Sequence, residues 1–300
     1  MSIFSPVERQ QAKLRLALTG VSGAGKTLSA LYIAYGMTGD WEKIALIDTE
    51  HERARFYANR EDLGTGGFLY APMYPPYSPE KYKSMVEEGA NAVGPDGVVI
   101  VDSLSHAWNN EGGVLEIKDR IASQSGKTSY TAWGEAGKYQ NSLINTILSI
   151  PCHTIVTMRS KMEYALVEND KGKSVPKKVG LAPVQREDTE YEFDIVLDID
   201  RNHVATTSKD TTFLDTFADV ITPKLGENLR IWLSEGKEPE KCDICGCLIK
   251  PTSTKSVVEI VEGTMKSMGK KACAKCCLEW VKETGARTPE NEDIQKADSK

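Results

Sequence analysis

The chain carries the sequence GVSGAGKT at residues 20–27, which matches the phosphate-loop pattern G-x-x-x-x-G-K-[ST] at every fixed position. An apolar run at 14–19 precedes this loop and predicts a buried strand, and residues 26–38 predict the helix that follows. In such a loop the backbone N–H groups surround phosphate oxygens, and the start of the helix adds partial positive charge. The segment therefore predicts a site for the phosphates of a nucleotide.

The side chains that end this loop have specific expected roles. Lys26 is expected to reach the β- and γ-phosphates of ATP, and the hydroxyl of Thr27 is expected to bind Mg²⁺. The predicted nucleotide contacts of the loop are Gly20, Ser22, Gly23, Ala24, Gly25, Lys26 and Thr27. A second partial match at 125–128 has Ile121 where the first glycine belongs and no apolar strand before it, so we interpret it as a loop.

Apolar runs alternate with helical patterns along the rest of the first 235 residues. Buried strands are predicted at 43–48, 97–102 and 153–158, and helices at 79–93 and 131–149. Two shorter runs predict a hairpin that extends the sheet, at 195–199 and 203–207. The pattern predicts an α/β fold with a mostly parallel central sheet.

An acidic residue ends the third predicted strand. The run VVIVD at 98–102 places the carboxylate of Asp102 at the sheet edge that also holds the phosphate loop. Enzymes with this loop hold Mg²⁺ partly through such a carboxylate. We therefore predict that Asp102 is a second Mg²⁺ ligand; the alternative is a strand that ends in an aspartate with no role in binding.

Further segments resemble the RecA family of recombination ATPases. The second strand ends in DTEH at 48–51, as a similar strand does in that family, where the glutamate activates water and a later tyrosine stacks on adenine. Glu50 and Tyr57 match those positions, and Asp102 with Ser103 resembles the family's VDS ending. The resemblance covers roughly residues 12–235 and implies a RecA-like core in which Lys26, Glu50 and Asp102 support ATP hydrolysis.

The sequence departs from the RecA pattern at two positions. RecA has an aspartate between its glutamate and tyrosine where this chain has Ala54, so the adenine contact is expected to differ. Arg159 follows the fourth strand where the family has a glutamine that senses the γ-phosphate. Lys209 lies where the family places lysines that reach the ATP of a neighbouring subunit. The alternatives are that Glu50 is a solvated strand end and that Tyr57 only packs in the fold.

The resemblance also implies partners. In the family, a mobile loop after the fourth strand binds single-stranded DNA; here that segment is the lysine-bearing loop at 161–188, for which an ordinary solvated loop is the alternative. RecA-type cores commonly complete the ATP site between subunits, which implies a homo-oligomer, as a ring or a filament. The chain looks most like the compact phage-borne RecA-core ATPases of recombination and single-strand annealing, so a recombination or replication protein is a further expected partner.

The C-terminal part of the chain holds six of the seven cysteines. Its two C-x-x-C pairs, separated by residues 246–272, are typical of a tetrahedral Zn²⁺ site. The predicted ligands are Cys242, Cys245, Cys273 and Cys276. We predict a zinc-ribbon or treble-clef module that needs the metal because its own core is too small. A redox dithiol is the alternative, and the additional Cys247 and Cys277 allow a different set of ligands.

Charge is distributed unevenly along the chain. The net charge is −6, yet residues 241–287 carry 9 basic and 5 acidic side chains. We predict three parts: a RecA-like core at 1–235, the zinc module at 236–287 and an acidic tail at 288–300. The basic module would attract a phosphate backbone, with docking of a protein as the alternative.

The composition excludes several classes of protein. Apolar residues make up 40% and charged residues 27%, which argues against global disorder. No apolar run approaches the roughly 20 residues that span a bilayer, and the first residues lack the apolar stretch of a signal peptide. We expect a cytoplasmic location, in the host cytoplasm if the chain is phage-encoded, and no membrane partner.

Two other functions fit the same motifs. Nucleoside kinases of the thymidine type also join an N-terminal phosphate loop to a C-terminal zinc site, although no segment here reads as a lid over an acceptor. The third hypothesis is an adaptor that binds ATP, hydrolyses it slowly and loads another protein on DNA. The histidines have no partners at the spacing of metal ligands. We therefore interpret His51, His106 and His153 as structural, and the sequence gives no indication of a role for His203.

Overall fold

The computed structural model describes residues 7–168, 174–252 and 254–284, with the backbone alone at 162–168 and 174–181. Contacts within the chain divide it into two units. The first unit is Lys13–Leu233, and the second joins residues 7–12 to residues 234–284 in the described part. A bridge between Gln10 and Lys237 ties the N-terminal segment to the second unit, a pairing that the predicted boundary near 235 does not include.

The described residues of the first unit form a sheet of nine strands. The strands are β1 (Arg15–Gly20), β2 (Ile44–Asp48), β3 (Leu69–Pro72), β4 (Val98–Asp102), β5 (His153–Glu168), β6 (Ser174–Pro183), β7 (Ile195–Ile199), β8 (Val204–Lys209) and β9 (Ala218–Val220). Their order is β3-β2-β4-β5-β1-β7-β8-β9, with β6 paired to β5. The pairs from β3 through to β7 are parallel, and β8 and β9 are antiparallel. The predicted α/β fold with a mostly parallel sheet is confirmed.

Helices cover both faces of this sheet. In the first unit they are α1 (Lys26–Thr38), α2 (Pro79–Val93), α3 (His106–Asn109), α4 (Val114–Ala122), α5 (Ser129–Ser149) and α6 (Pro223–Leu233). One apolar core joins α1 and α6 to the sheet, and a second joins α2 and α5 to the opposite face. Because the strands are buried from both sides, their near-continuous apolar sequences are the pattern that such burial requires.

Two glycines let α1 and α6 contact each other through their backbones. A Cβ at Gly36 would lie 1.9 Å from the carbonyl oxygen of Pro223, and one at Gly226 would lie 2.1 Å from that of Ile33. Any side chain at either position would push the helices apart. This contact fixes the position of α1, the helix that follows the phosphate loop.

The segment predicted as a loop at 161–188 is largely a β-hairpin. Strand β5 continues to Glu168, and β6 returns antiparallel to it, with a register shift between Glu163 and Tyr164. The prediction of a loop was wrong because it rested on the lysine-rich, polar composition of the segment. The segment also contains residues that favour strands, such as the YALV run at 164–167. Lys171 and Lys173 lie outside the described residues.

In its described residues the second unit contains two helices, α7 (Val257–Met268) and α8 (Ala274–Thr284). Ser256 and Glu259 form a capping box that starts α7, and Gly269 ends the helix in the left-handed conformation. Helix α8 begins within the second cysteine pair and contains Cys276. The predicted tail at 288–300 lies outside the described residues.

None of the helices in the described part of the chain is long and apolar enough to cross a membrane.

Candidate nucleotide-binding and catalytic site

The phosphate loop connects β1 to α1 at the carboxyl edge of the sheet. Its first glycine has no room for a side chain, because a Cβ at Gly20 would lie 2.5 Å from the carbonyl oxygen of Ile199 in the neighbouring strand. Ser22 and Gly23 are exposed at the tip of the loop, while Ala24 is buried beneath it. Gly25 is left-handed, with φ 91°, and directly precedes the helix, so the free N–H groups of the first helical turn face the loop.

Lys26 is buried and bound to the loop itself. Its Nζ donates to the carbonyl oxygens of Gly20 and Val21, at 2.9 Å each. Burial lowers the pKa of Lys26, whereas the charges of Asp102 and Glu50 act in the opposite direction. The amine therefore lies folded over the loop, next to the two carboxylates that the sequence predicts as its partners in the site.

Asp102 joins three elements through its carboxylate. Oδ2 accepts a hydrogen bond from Thr27 Oγ1 at 2.6 Å, and Oδ1 accepts one from Thr157 Oγ1 at 2.5 Å. Burial raises the pKa of Asp102, the two threonine hydroxyls oppose that effect, and the nearby charges of Glu50 and Asp48 add to it. A carboxylate and a hydroxyl side by side at a phosphate loop are the hard oxygen donors that Mg²⁺ prefers, so the predicted pair fits this ion.

Glu50 lies in a tight turn held by the last residue of β2. Asp48 is buried, and its carboxylate accepts hydrogen bonds from the N–H groups of Glu50 at 2.6 Å and Ala54 at 3.0 Å. The turn continues through His51 and Glu52, which are left-handed with φ of 59° and 61°. Two such residues in succession are unusual for non-glycine positions and occur where surrounding contacts impose them. The position of Glu50 is therefore set by Asp48.

Glu50 forms a two-point ion pair with Arg159. Arg159 Nε donates to Glu50 Oε1 at 2.7 Å, and a second guanidinium nitrogen donates to Oε2. Burial alone would raise the pKa of Glu50, but the hydrogen bonds and charge of Arg159 outweigh it and lower the pKa. The carboxylate is 15% exposed and therefore enters this pair ionised and largely shielded from water.

His106, which the sequence predicts to be structural, also belongs to this site. Its Nε2 lies 3.9 Å from Glu50 Oε1, and its Nδ1 lies 2.8 Å from the hydroxyl of Thr49. Burial lowers its pKa, Arg159 acts in the same direction, and Glu50 opposes both. The lowered pKa favours the neutral ring. The sequence held no signal for this position beyond its closeness to Asp102 along the chain.

Two further residues predicted for the site, Tyr57 and Lys209, have their described contacts elsewhere in the first unit. Tyr57 ends a short 3₁₀ helix and packs partly buried against the core beside α1; burial raises its pKa, and the charge of Asp102 adds to the effect. Lys209 pairs with Val196 at the amino end of β7, away from the phosphate loop, and its amine donates to the carbonyl of Tyr191. Adenine stacking by Tyr57 and contact of Lys209 with a neighbouring subunit stay predictions.

A second histidine, which no sequence pattern marks as functional, lies against the phosphate loop. His203, in the turn between β7 and β8, places Nδ1 3.0 Å from the carbonyl oxygen of Ala24. Only the pairing of β7 beside β1 brings these two segments together. No local pattern in the sequence could have predicted that contact.

Four cysteines of the second unit converge. The sulfur atoms of the predicted set lie within 4.8 Å of one another; they belong to Cys242, Cys245, Cys273 and Cys276. The first pair sits in a turn closed by the N–H of Gly246, which donates to the carbonyl of Cys242 at 2.8 Å. The thiols are close enough for one tetrahedral ion to bind all four. Cys247, with its sulfur 3.2 Å from that of Cys245, lies at the edge of the cluster.

The parallel sheet, the phosphate loop and the Thr27–Asp102 pair at the end of β4 define a P-loop ATPase domain. A family model described as an AAA domain matches residues 12–218 of the chain. The match covers more than half of the sequence and most of the first unit, so the chain belongs to this AAA domain family. A search of the curated proteins finds no match.

The pH dependence of stability tests the ion pair between Glu50 and Arg159. Because the native pKa of Glu50 is lowered, the pair stabilises the fold above the ordinary value of 4.5 and ceases to do so as pH falls through the lower native value. A double-mutant cycle with Glu50→Gln and Arg159→Gln should give a coupling of about 1 kcal/mol at pH 7. The value is modest because Arg159 is 39% exposed and screened by water.

Denaturant unfolding of the four proteins at pH 7 and near pH 3.5 measures this coupling. It should shrink at the lower pH. A coupling near zero at pH 7, or one that grows on acidification, would show that the two side chains are not paired in solution.

Proposed function

We propose that the chain is a Mg²⁺-dependent ATPase in which Glu50 orients the attacking water. The observation that carries this proposal is that the largely shielded carboxylate of Glu50, the amine of Lys26 and the Thr27–Asp102 pair meet at the carboxyl edge of one parallel sheet. Mg²⁺, when bound, neutralises charge on the phosphate oxygens. The choice of ATP over other nucleotides rests on the resemblance to RecA and on Tyr57 as the adenine contact.

Two side chains would exchange partners when ATP binds. Lys26 would leave the carbonyl oxygens of its own loop for the phosphates, which carry full negative charge. Arg159 would likewise turn from Glu50 toward the γ-phosphate, because a guanidinium binds phosphate as well as carboxylate at two points. Glu50 would then be free to hold a water molecule. The ion pair therefore keeps the site inactive until a triphosphate is present.

We further propose that this exchange is linked to single-stranded DNA. Arg159 lies on β5, and the same strand continues into the hairpin with β6. A shift of Arg159 would move the base of the hairpin, whose sequence contains Lys161, Lys177 and Lys178. Lysines along an extended segment would follow the phosphates of a single strand. A role in recombination, annealing or replication, in a ring or filament that also binds another protein of that process, is part of the same proposal.

The converging thiols support a structural Zn²⁺ site in the second unit. Zn²⁺ would be held by the four cysteines whose sulfur atoms lie within 4.8 Å of one another, and it would tie the turn at 242–247 to the start of α8. The core of this unit is small and includes three of the ligands themselves, together with Ile249, Ile260 and Ala272. A unit of this size gains much of its stability from a metal. Its basic surface would contact DNA.

The ion pair between Glu50 and Arg159 also favours a second candidate function. An adaptor that binds ATP and hydrolyses it slowly would need its catalytic carboxylate restrained for long periods. Slow turnover that rises only with a protein partner, and not with DNA, would identify that function.

The catalytic proposal predicts opposite effects of two substitutions on binding and hydrolysis. Glu50→Gln should keep ATP binding within about threefold of wild type and lower the hydrolysis rate at least about 100-fold, because a general base is lost. Lys26→Ala should lose binding. Glu52→Gln, two residues further along the same turn, is the matched control and should keep wild-type hydrolysis. Full activity of Glu50→Gln would remove Glu50 from the mechanism.

Charge reversal in the hairpin tests the DNA proposal. The double substitution Lys177→Glu and Lys178→Glu should weaken binding of a single-stranded oligonucleotide and lower the slope of log affinity against log salt by about 2. The control exchanges Lys13 and Lys43 for glutamate and changes the net charge equally. These two residues lie just before β1 and β2, at the amino ends of the strands. Fluorescence anisotropy over a salt series measures both. Equal losses in the two double variants would indicate non-specific attraction only.

Metal content tests the zinc proposal. The full chain should retain one Zn²⁺ after gel filtration, and Cys276→Ser should lose it because three thiolates remain. Cys277→Ser changes the neighbouring residue of α8, which lies outside the converging set, and should retain the ion. Mass spectrometry of the metal gives the count. Retention by Cys276→Ser with loss by Cys247→Ser would reassign the ligands.

A further inference from the structure

The turn that joins β7 to β8 holds its last residue in an unusual conformation. His203 is left-handed, with φ 66°, and its N–H donates to the carbonyl of Asp200 at 3.2 Å. The carboxylate of Asp200 accepts from the N–H groups of Asn202 at 2.8 Å and Val204 at 3.0 Å. The turn is therefore fixed on both sides of His203. A residue with a Cβ adopts this conformation only where its surroundings impose it.

The imidazole of His203 lies on the phosphate loop. Its Nδ1 is 3.0 Å from the carbonyl oxygen of Ala24, and because a carbonyl can only accept, Nδ1 carries the proton. The ring also covers the next residue, since a Cβ added at Gly25 would lie 3.0 Å from the same nitrogen. The contact joins the loop to a turn that is 179 residues away in the sequence.

One peptide unit connects this contact to the nucleotide site. The bond between Ala24 and Gly25 is trans, so the carbonyl of Ala24 and the N–H of Gly25 point in opposite directions within one plane. A donor that fixes the carbonyl on one side also fixes the N–H on the other. Gly25 directly precedes α1, where the N–H groups of such a loop bind phosphate oxygens.

We propose that His203 is a positioning residue of the phosphate loop. Its Nδ1–H holds the Ala24 carbonyl and thereby directs the N–H of Gly25 at the phosphates of a bound nucleoside triphosphate. This role rests on the proposed nucleotide binding and adds a residue from outside the loop motif to it. The turn that makes the contact joins β7 to β8, which lie on the far side of β1 from Asp102 and Glu50, so it acts on binding independently of the carboxylates.

Two substitutions separate the hydrogen bond from the backbone conformation. His203→Gly tolerates the left-handed turn but removes the donor. His203→Asn tolerates the same turn and places an amide N–H where Nδ1 lies. Loss of one such hydrogen bond should weaken the affinity for a fluorescent ATP analogue with Mg²⁺ about fivefold in the glycine variant. The asparagine variant should stay within about twofold of wild type.

Fluorescence titration of the full-length proteins gives these affinities, and thermal melting shows that each variant is folded. Equal affinity of wild type and His203→Gly would overturn the proposal. Equal weakening in both variants would also overturn it, because the donor would then not be what matters. Failure of the wild type to bind the analogue any better than Lys26→Ala would instead contradict the proposed nucleotide binding itself.

Discussion

The site depends on the hydrogen bonds that the buried carboxylate of Asp102 accepts. This residue accepts hydrogen bonds from Thr27 on α1 and from Thr157 on β5, and it ends β4. One buried group therefore ties the phosphate loop to two strands of the sheet. Such a charge is costly to bury, and the two hydroxyls reduce that cost only in part, since its pKa remains raised. In the proposed function, a bound divalent cation would complete the compensation.

The strand order determines what surrounds this group. Because β5 lies between β4 and β1, Arg159 is paired with Gly20 in the sheet. Its side chain reaches the turn that follows β2. The turn places Glu50 within reach of that guanidinium, and Asp48 fixes the turn from within the sheet. The chain of contacts from Asp48 to Glu50 to Arg159 leads directly into the β5–β6 hairpin. In the proposed function, this chain of contacts would be the physical route by which the nucleotide and a strand of DNA affect each other.

The sequence predicted the features that local patterns encode. The phosphate loop, the buried strands, the carboxylate of Asp102 and the cysteine pairs all follow from spacing over a few residues. It did not predict the partner of Glu50, the position of His106 or the contact of His203, because these depend on which strands become neighbours. The β5–β6 hairpin was missed for another reason: charged residues and prolines masked its strand pattern, and pairing with β5 overrides those local preferences.

The rate of ATP hydrolysis with and without single-stranded DNA tests the central claim most directly, with Lys26→Ala as the blank. The link through β5 predicts that DNA raises the rate severalfold in the wild type and leaves the blank unchanged. A rate that is measurable but indifferent to DNA would contradict the link. That result would support the proposed ATP site and would indicate that the hairpin binds a partner other than DNA.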